Sequence, residues 1–220
     1  MTLDPVQHRE FLGFDTCLVS DALEKLGLPQ GIGAIRRLTT KKRVFGPVVT
    51  VQLEKFRGDV PKRHLCAAAV GLARPGDVIV ISHRARDDCA GWGGLLSTSA
   101  VLKSVAGVVC DGLVRDVDES EDLGLPVFAR GATPVTARNR VMETATNQPV
   151  MVEGVTVNPG DYVLADGSGV AFIPAGRVAE LLKTARELLA FEDGIRAAVG
   201  SGRAIGDVMN QNYETLLKKG

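Results

Sequence analysis

Apolar positions along this chain fall into short β-branched blocks, separated by stretches with helical spacing. Leu18, Ala22 and Leu26 recur four residues apart and Gly27 closes the run, which predicts a helix starting near Thr16. Residues 45–53 are dominated by Val and Thr with Pro47 near the start, and they predict a strand. Helical spacing returns over 65–72. The turn Arg74-Pro75-Gly76-Asp77 then launches the apolar block 78–81, a buried strand. Residues 93–105 predict a glycine-led helix, 105–112 a second buried strand and 125–129 a third. Residues 150–157 alternate like a hairpin. A second Pro-Gly-Asp turn at 159–161 precedes strands at 162–165 and 169–174. A long amphipathic helix is predicted from about 177 to 199. Before Thr16 the pattern predicts no element, so His8 is expected on a mobile segment.

Short buried strands alternating with helices argue for an α/β layering, and the hairpin region argues for a mixed rather than purely parallel sheet. The chain has 220 residues and a mass of 23.3 kDa, enough for folding to bury about 70% of the extended-chain surface. No low-complexity linker or shift in composition divides it, so one domain spanning residues 1–220 is expected. The 26 basic residues balance the 26 acidic ones, which gives no electrostatic reason to expect a nucleic acid or a membrane as partner. The basic run from Arg36 to Arg43 reads as a solvated connection. No apolar stretch approaches the roughly 18 residues of a membrane span, and residues 1–5 lack the basic start of a secretory leader. Cys17, Cys66, Cys89 and Cys110 are scattered, with no CxxC pair. A reduced, cytoplasmic protein is expected, with Cys66 and Cys110 in the core.

Two stretches carry candidate chemistry. Three glycines at 91, 93 and 94 precede a helix, where backbone amides approach an anion and the helix dipole favours negative charge; the bland alternative is a loop needing positive φ angles. Arg115-Asp116 follows an apolar strand, where open α/β sheets collect ligands. An arginine there grips a carboxylate through two parallel bonds. Asp116, Asp118 and Glu119, read as a charged loop, offer oxygen ligands to a hard divalent cation. Of the histidines, His64 precedes a helix and His83 follows a strand near this region. Trp92 is expected to pack against the cleft or lid it.

Gly94, twenty residues, Arg115-Asp116, two residues and Glu119 together resemble the signature of the RraA-like family. That family holds the regulator of ribonuclease activity A and the class II aldolases acting on 4-hydroxy-4-methyl-2-oxoglutarate. The resemblance extends through Val19-Ser20-Asp21-Ala22-Leu23, the 45–51 strand, both Pro-Gly-Asp turns and Ala165-Asp166-Gly167-Ser168-Gly169-Val170. It implies a compact α/β/α sandwich with a mixed central sheet, assembled as a homotrimer or homohexamer with sites in subunit clefts. It also implies that Asp116 binds Mg²⁺ or Mn²⁺ largely through water, and that Arg115 contacts the substrate and steadies an enolate. Backbone amides of Gly94, Leu95 and Leu96 meet the pyruvyl carboxylate. Glu119 and Asp88 are expected in supporting positions, and Glu192 reaches a neighbouring subunit's site. The implied activity is metal-dependent carbon–carbon cleavage of a short 2-keto acid, by aldol cleavage or oxaloacetate decarboxylation; the alternatives are a non-catalytic ribonuclease-binding regulator and a lyase recruited to another substrate. The chain departs from the family's aldolases at one point. Where they carry an acidic residue before the Leu-Leu pair, it has Gly94, with Asp87 or Asp88 as candidate replacements.

Overall fold

A computed structural model describes residues 3–58 and 64–209. The chain opens with helices α1 (Pro5–Gly13) and α2 (Thr16–Lys25), then strands β1 (Arg36–Arg37) and β2 (Val44–Lys55). Helix α3 (Ala67–Leu72), β3 (Val78–Ser82), α4 (Gly94–Leu102), β4 (Gly107–Val114), α5 (Val117–Asp122) and β5 (Val127–Ala132) alternate through the middle. Strands β6 (Val141–Thr146), β7 (Val150–Val152), β8 (Val155–Val157), β9 (Tyr162–Ala165) and β10 (Val170–Ile173) follow. Helices α6 (Val178–Gly200) and α7 (Ile205–Val208) complete the described chain.

Among the described residues, eight strands form one mixed sheet in the order β1-β5-β4-β3-β2-β9-β10, with β6 also paired to β2. Strands β2 to β5 are parallel neighbours, so the carboxyl ends of β3 and β4 lie at one edge. The long β2 serves three partners in turn: β9 at its start, β3 in the middle and β6 at its end. The expected α/β class and mixed sheet are present, and the sheet curls until it nearly closes. Ile32 bridges Val170 on β10, and four residues later the same segment pairs with β5 as β1.

Period-two alternation explains how the curled sheet is filled. Val78 and Val80 point inward with Val48, Val109, Phe128 and Val163, and the β7–β8 hairpin plugs this interior with Val150, Val152 and Val157. Ile79 and Ile81 point outward with Val51, Leu53 and Cys110, where Ala69, Val70 and Ala100 of α3 and α4 cover them. On the far flank, α1, α2 and α6 pack over Phe45, Tyr162, Leu164 and Ile173.

The two Pro-Gly-Asp turns are built alike. Gly76 and Gly160 have φ of 89° and 84°, which glycine adopts without the Cβ penalty. In each, the aspartate accepts the backbone N–H three residues back, Arg74 to Asp77 and Asn158 to Asp161, both at 2.8 Å. The N-terminal segment departs from expectation: it is helical, capped by Asp4, whose Oδ1 accepts the N–H groups of Val6 and Gln7. His8 is held there, with Nε2 3.2 Å from the carbonyl oxygen of Phe45 and its ring tilted over that of Phe45. Phe11 anchors the helix by stacking on Phe45 at 4.5 Å between ring centroids. The pattern misses α1 because its burial rests on one central aromatic rather than an apolar stripe. Strand β6 was missed too, because Val141-Met142-Glu143-Thr144 offers little β-branched alternation.

Candidate active site

At the carboxyl end of β4 the backbone turns sharply. Residues 90–92 run alongside the strand: Gly91 N–H donates to Leu113 O at 2.8 Å, and Arg115 N–H donates to Trp92 O at 3.0 Å. Asp116 then takes a left-handed conformation, with φ of 56° and ψ of 44°, and α5 begins. Asp118 and Glu119 therefore lie in the first turn of a short helix, not in a loop. This favours acidic side chains, because that end of a helix carries partial positive charge.

The left-handed turn aims Asp116 back at the glycine segment. Its Oδ2 accepts Gly94 N–H at 2.8 Å and Arg115 Nε–H at 3.1 Å, so one carboxylate oxygen ties the start of α4 to the arginine. The glycines at 91, 93 and 94 sit at points of close approach, not at special φ values: none has a positive φ, and Gly93 is extended at −164°. A Cβ on Gly93 would sit 2.8 Å from Asp116 Oδ2, and one on Gly94 would overlap the Glu119 carboxylate. Glu119 thus fills the space a side chain at position 94 would take. Gly94 N–H is committed to Asp116 and Leu96 N–H to Gly93 O at 3.1 Å. Of the three amides expected to meet a carboxylate, that of Leu95 has no partner among the described residues.

Arg115, Asp116 and the glycine segment border a cleft of about 540 Å³, with Glu119 outside its lining. One border is the 90–96 segment with Arg115 and Asp116; the other comes from the β2–β6 ribbon, His64, Leu65 and the 136–139 loop. Trp92 packs into the floor: it is 2% exposed, and its Nε1 donates to Ser97 Oγ at 2.8 Å. The second border was not legible in the sequence, because β6 was not predicted and His64 carries no motif of its own.

His83 does not line the cleft; it lies beneath it. Its ring is fully buried between Gly91 and Gly112, and a Cβ on either glycine would press on it. Nε2 lies 2.9 Å from Cys89 O, which places the proton there, while Nδ1 is buried with no partner among the described residues. Burial lowers its pKa, so the ring is neutral. Asp111, on the bulged end of β4, accepts His83 N–H. Burial pushes the Asp111 carboxyl up to about 6, with Glu153 adding repulsion against the backbone donors of His83 and Ala85. Burial also raises the Cys66 and Cys110 thiols well above the usual range, which leaves them unreactive core residues.

Two expected supporting residues lie elsewhere. Asp88 is clamped by Arg86, whose Nε donates at 2.9 Å, and is outside the cleft lining. Burial raises its pKa, but the guanidinium wins and holds it below the usual range. Glu192 on α6 pairs with Arg196 and lies close enough to Asp21 to help raise that residue's pKa, behind the larger effect of burial. Within one chain it belongs to the α2–α6 flank, away from β4.

The donors suit one kind of metal site. Among the described residues no three His, Cys, Asp or Glu side chains converge as a cage. Asp116 Oδ1 has no partner among the described residues, and Glu119 lies over the adjoining turn. A single open carboxylate with a second nearby fits a hydrated hard cation that keeps most of its waters, as Mg²⁺ does.

The family model described as RraA-like, Aldolase/RraA, matches residues 16–172. Protein DlpA of Legionella pneumophila is 30% identical over 90% of this chain, although the match spans only 32% of DlpA. A protein of Halalkalibacterium halodurans provisionally named 4-hydroxy-4-methyl-2-oxoglutarate aldolase is 34% identical over 86% of this chain and 87% of its own. The structure of Streptomyces coelicolor RraAS2, described as an unusual member of the RNase ES inhibitor RraA family, superimposes with a TM-score of 0.82. It is 27% identical, with 89% of this chain and 99% of that one covered. No described helix is long and apolar enough to cross a membrane. On the match of its residues 16–172, the chain belongs to the RraA-like, Aldolase/RraA family.

Proposed function

We propose that this protein is a carbon–carbon lyase acting on a short 2-oxo acid through a pyruvate enolate, with Mg²⁺ or Mn²⁺ at Asp116. The observation that carries the reading is the Arg115–Asp116 pair docked against the first turn of α4 at the cleft floor. Aldol cleavage and oxaloacetate decarboxylation both send the electrons of the broken bond into an enolate. Arg115 suits that charge: only its Nε is engaged, by Asp116, and the terminal nitrogens are unpartnered among the described residues. The free Leu95 N–H, at the positive end of α4, suits the substrate carboxylate. A divalent cation held by Asp116, with Glu119 near its waters, would supply Lewis-acid polarisation of the keto oxygen.

Aldol cleavage also needs a base for the substrate hydroxyl. Glu119 is the candidate for that role: it stands outside the cleft lining, but its carboxylate occupies the space over Gly94 where the aldolases carry their acidic residue. Asp88 is withdrawn into its pair with Arg86. The homotrimer or homohexamer, with Glu192 reaching a neighbouring site, belongs to the same proposal; what supports it is that Glu192 lies on the α2–α6 flank, away from its own chain's cleft.

The test is pyruvate release from 4-hydroxy-4-methyl-2-oxoglutarate and oxaloacetate, with and without Mg²⁺ or Mn²⁺. Turnover that needs the cation is expected. Turnover unaffected by chelation would remove the metal, and no turnover from a folded sample would favour a ribonuclease-binding regulator, the reading that the likeness to RraAS2 supports.

A further inference from the structure

The cleft is larger than the keto acid needs, and it holds an apolar patch opposite Arg115 and Asp116. A volume of about 540 Å³ falls within the roughly 300–1,000 Å³ of sites that take drug-sized ligands. One border carries Arg115, Asp116 and the Leu95 amide, and the other carries His64, Thr136, Arg138 and Asn139 around an apolar patch. The apolar patch lies on the β2–β6 ribbon, where Phe56, Val141 and Met142 join Leu65. Phe56 is fixed by its N–H donating to Arg140 O at 2.9 Å, and Lys55↔Val141 and Glu54↔Met142 are paired in register. None of Phe56, Val141 and Met142 belongs to the three hydrophobic clusters that fill and flank the sheet. Val141 is buried in the ribbon, whereas Phe56 and Met142 are only partly buried and lie outside those clusters, so the cleft is the surface those two side chains line. Arg138 lines the same cleft, and its guanidinium has no partner among the described residues.

We propose that the substrate is a 4-hydroxy-2-oxo acid whose leaving half is an aryl-sized apolar carbonyl compound carrying an acidic group. This rests on the lyase reading above. The C3–C4 bond breaks, the C4 hydroxyl gives up its proton to become the aldehyde, and the electron pair forms the pyruvate enolate. A proton returned to C3 gives pyruvate, with no change of oxidation state overall and no further reactant. The ring lies against Phe56, Val141 and Met142, and Arg138 supplies the counter-charge for its acidic substituent.

The experiment compares kcat/KM for pyruvate release, with Mg²⁺ present, from 4-hydroxy-4-phenyl-2-oxobutanoate, its para-carboxyphenyl analogue and 4-hydroxy-4-methyl-2-oxoglutarate. The phenyl substrate is expected to exceed the methyl one at least about tenfold, through KM, as burial of a ring allows. The para-carboxy analogue should exceed the phenyl compound, and Arg138→Ala should erase that second advantage. Phe56→Leu should lower the phenyl-to-methyl ratio at least about fivefold. A binding measurement free of turnover stands beside these: benzoylpyruvate should bind at least about tenfold more tightly than acetylpyruvate by calorimetry. Equal binding, a methyl substrate that is equal or better, or a ratio untouched in Phe56→Leu would overturn the proposal while leaving the lyase reading intact. If no 2-oxo acid releases pyruvate, oxaloacetate included, the lyase reading fails; tighter binding of benzoylpyruvate would still support the apolar wall.

Discussion

Asp111 and Asp116 sit at the same end of one strand, five residues apart, and meet opposite environments. Asp111 points to the inner side of the bulge, 3% exposed, and accepts the amide that starts the 83–86 turn. Asp116 is exposed on a left-handed residue beyond the strand, with one oxygen used and one open. The first carboxylate holds the floor together, while the second is available to a ligand. Chemically identical groups are thus sorted by burial and backbone turn, which sequence spacing does not encode.

The sharpest way to break that contrast is Asp116→Ala. Loss of a charge aimed at the reacting centre should lower pyruvate release at least about a hundredfold. The lost acceptor for Gly94 N–H should cost only about 0.5–2 kcal/mol of stability, so the variant should remain folded by thermal unfolding. A normal rate would mean that the open carboxylate does no chemistry.

Asp111→Asn should act on stability instead. A folded pKa of about 6, against an ordinary value near 3.9, means the fold binds this proton more tightly than the unfolded chain does. That contribution is complete below about pH 4 and lost as pH rises through 6, a difference of about 3 kcal/mol. Asparagine keeps an acceptor for His83 N–H without the buried charge. The variant should therefore be more stable than the parent at pH 8, with the gap closing towards pH 4.5, as read by denaturant unfolding. A pH-independent gap would show that the Asp111 carboxyl ionises in the fold as it does in the unfolded chain, so that burial does not raise its pKa.

Gly94→Asp tests the crowding that links the two regions. The new side chain meets the Glu119 carboxylate, the end of an exposed and flexible side chain that can swing aside, so the cost should lie at or below the lower end of the about 1–3 kcal/mol of core overpacking. Adding Glu119→Ala should recover most of that stability and return a carboxylate to the same space. If the double variant is no more stable than Gly94→Asp alone, Glu119 is not what fills the position. The smallest effect belongs to Asp88→Asn. The pair with Arg86 is half exposed on the aspartate side, so it should cost under about 1 kcal/mol and leave pyruvate release within about twofold.

Much of the scaffold was legible because its signals are local. Valine-rich blocks, two Pro-Gly-Asp turns and the four-residue spacing of α2 each report a nearest-neighbour preference, and β3, β4, α2 and α6 lie where those preferences put them. The Arg115-Asp116 pair was legible for the same reason: its place after an apolar strand is a sequence fact. Helix α1 and strand β6 were not, since their stability comes from long-range contacts, Phe11 on Phe45 in one case and pairing with the end of β2 in the other.

The sequence by itself determined the α/β class, the turn chemistry and the identity of the charged residues beside β4. Only the tertiary structure decided what each does there. It set Glu119 over Gly94, made the three glycines points of close approach with no positive φ, and put His83 under the floor rather than in the cleft. It also drew Asp88 into an ion pair and lined the far border with Phe56, Val141 and Met142. The physical reason is distance in three dimensions: dihedral preference and hydrophobic periodicity act over a few residues, whereas burial, overlap and charge pairing depend on segments that folding alone brings together.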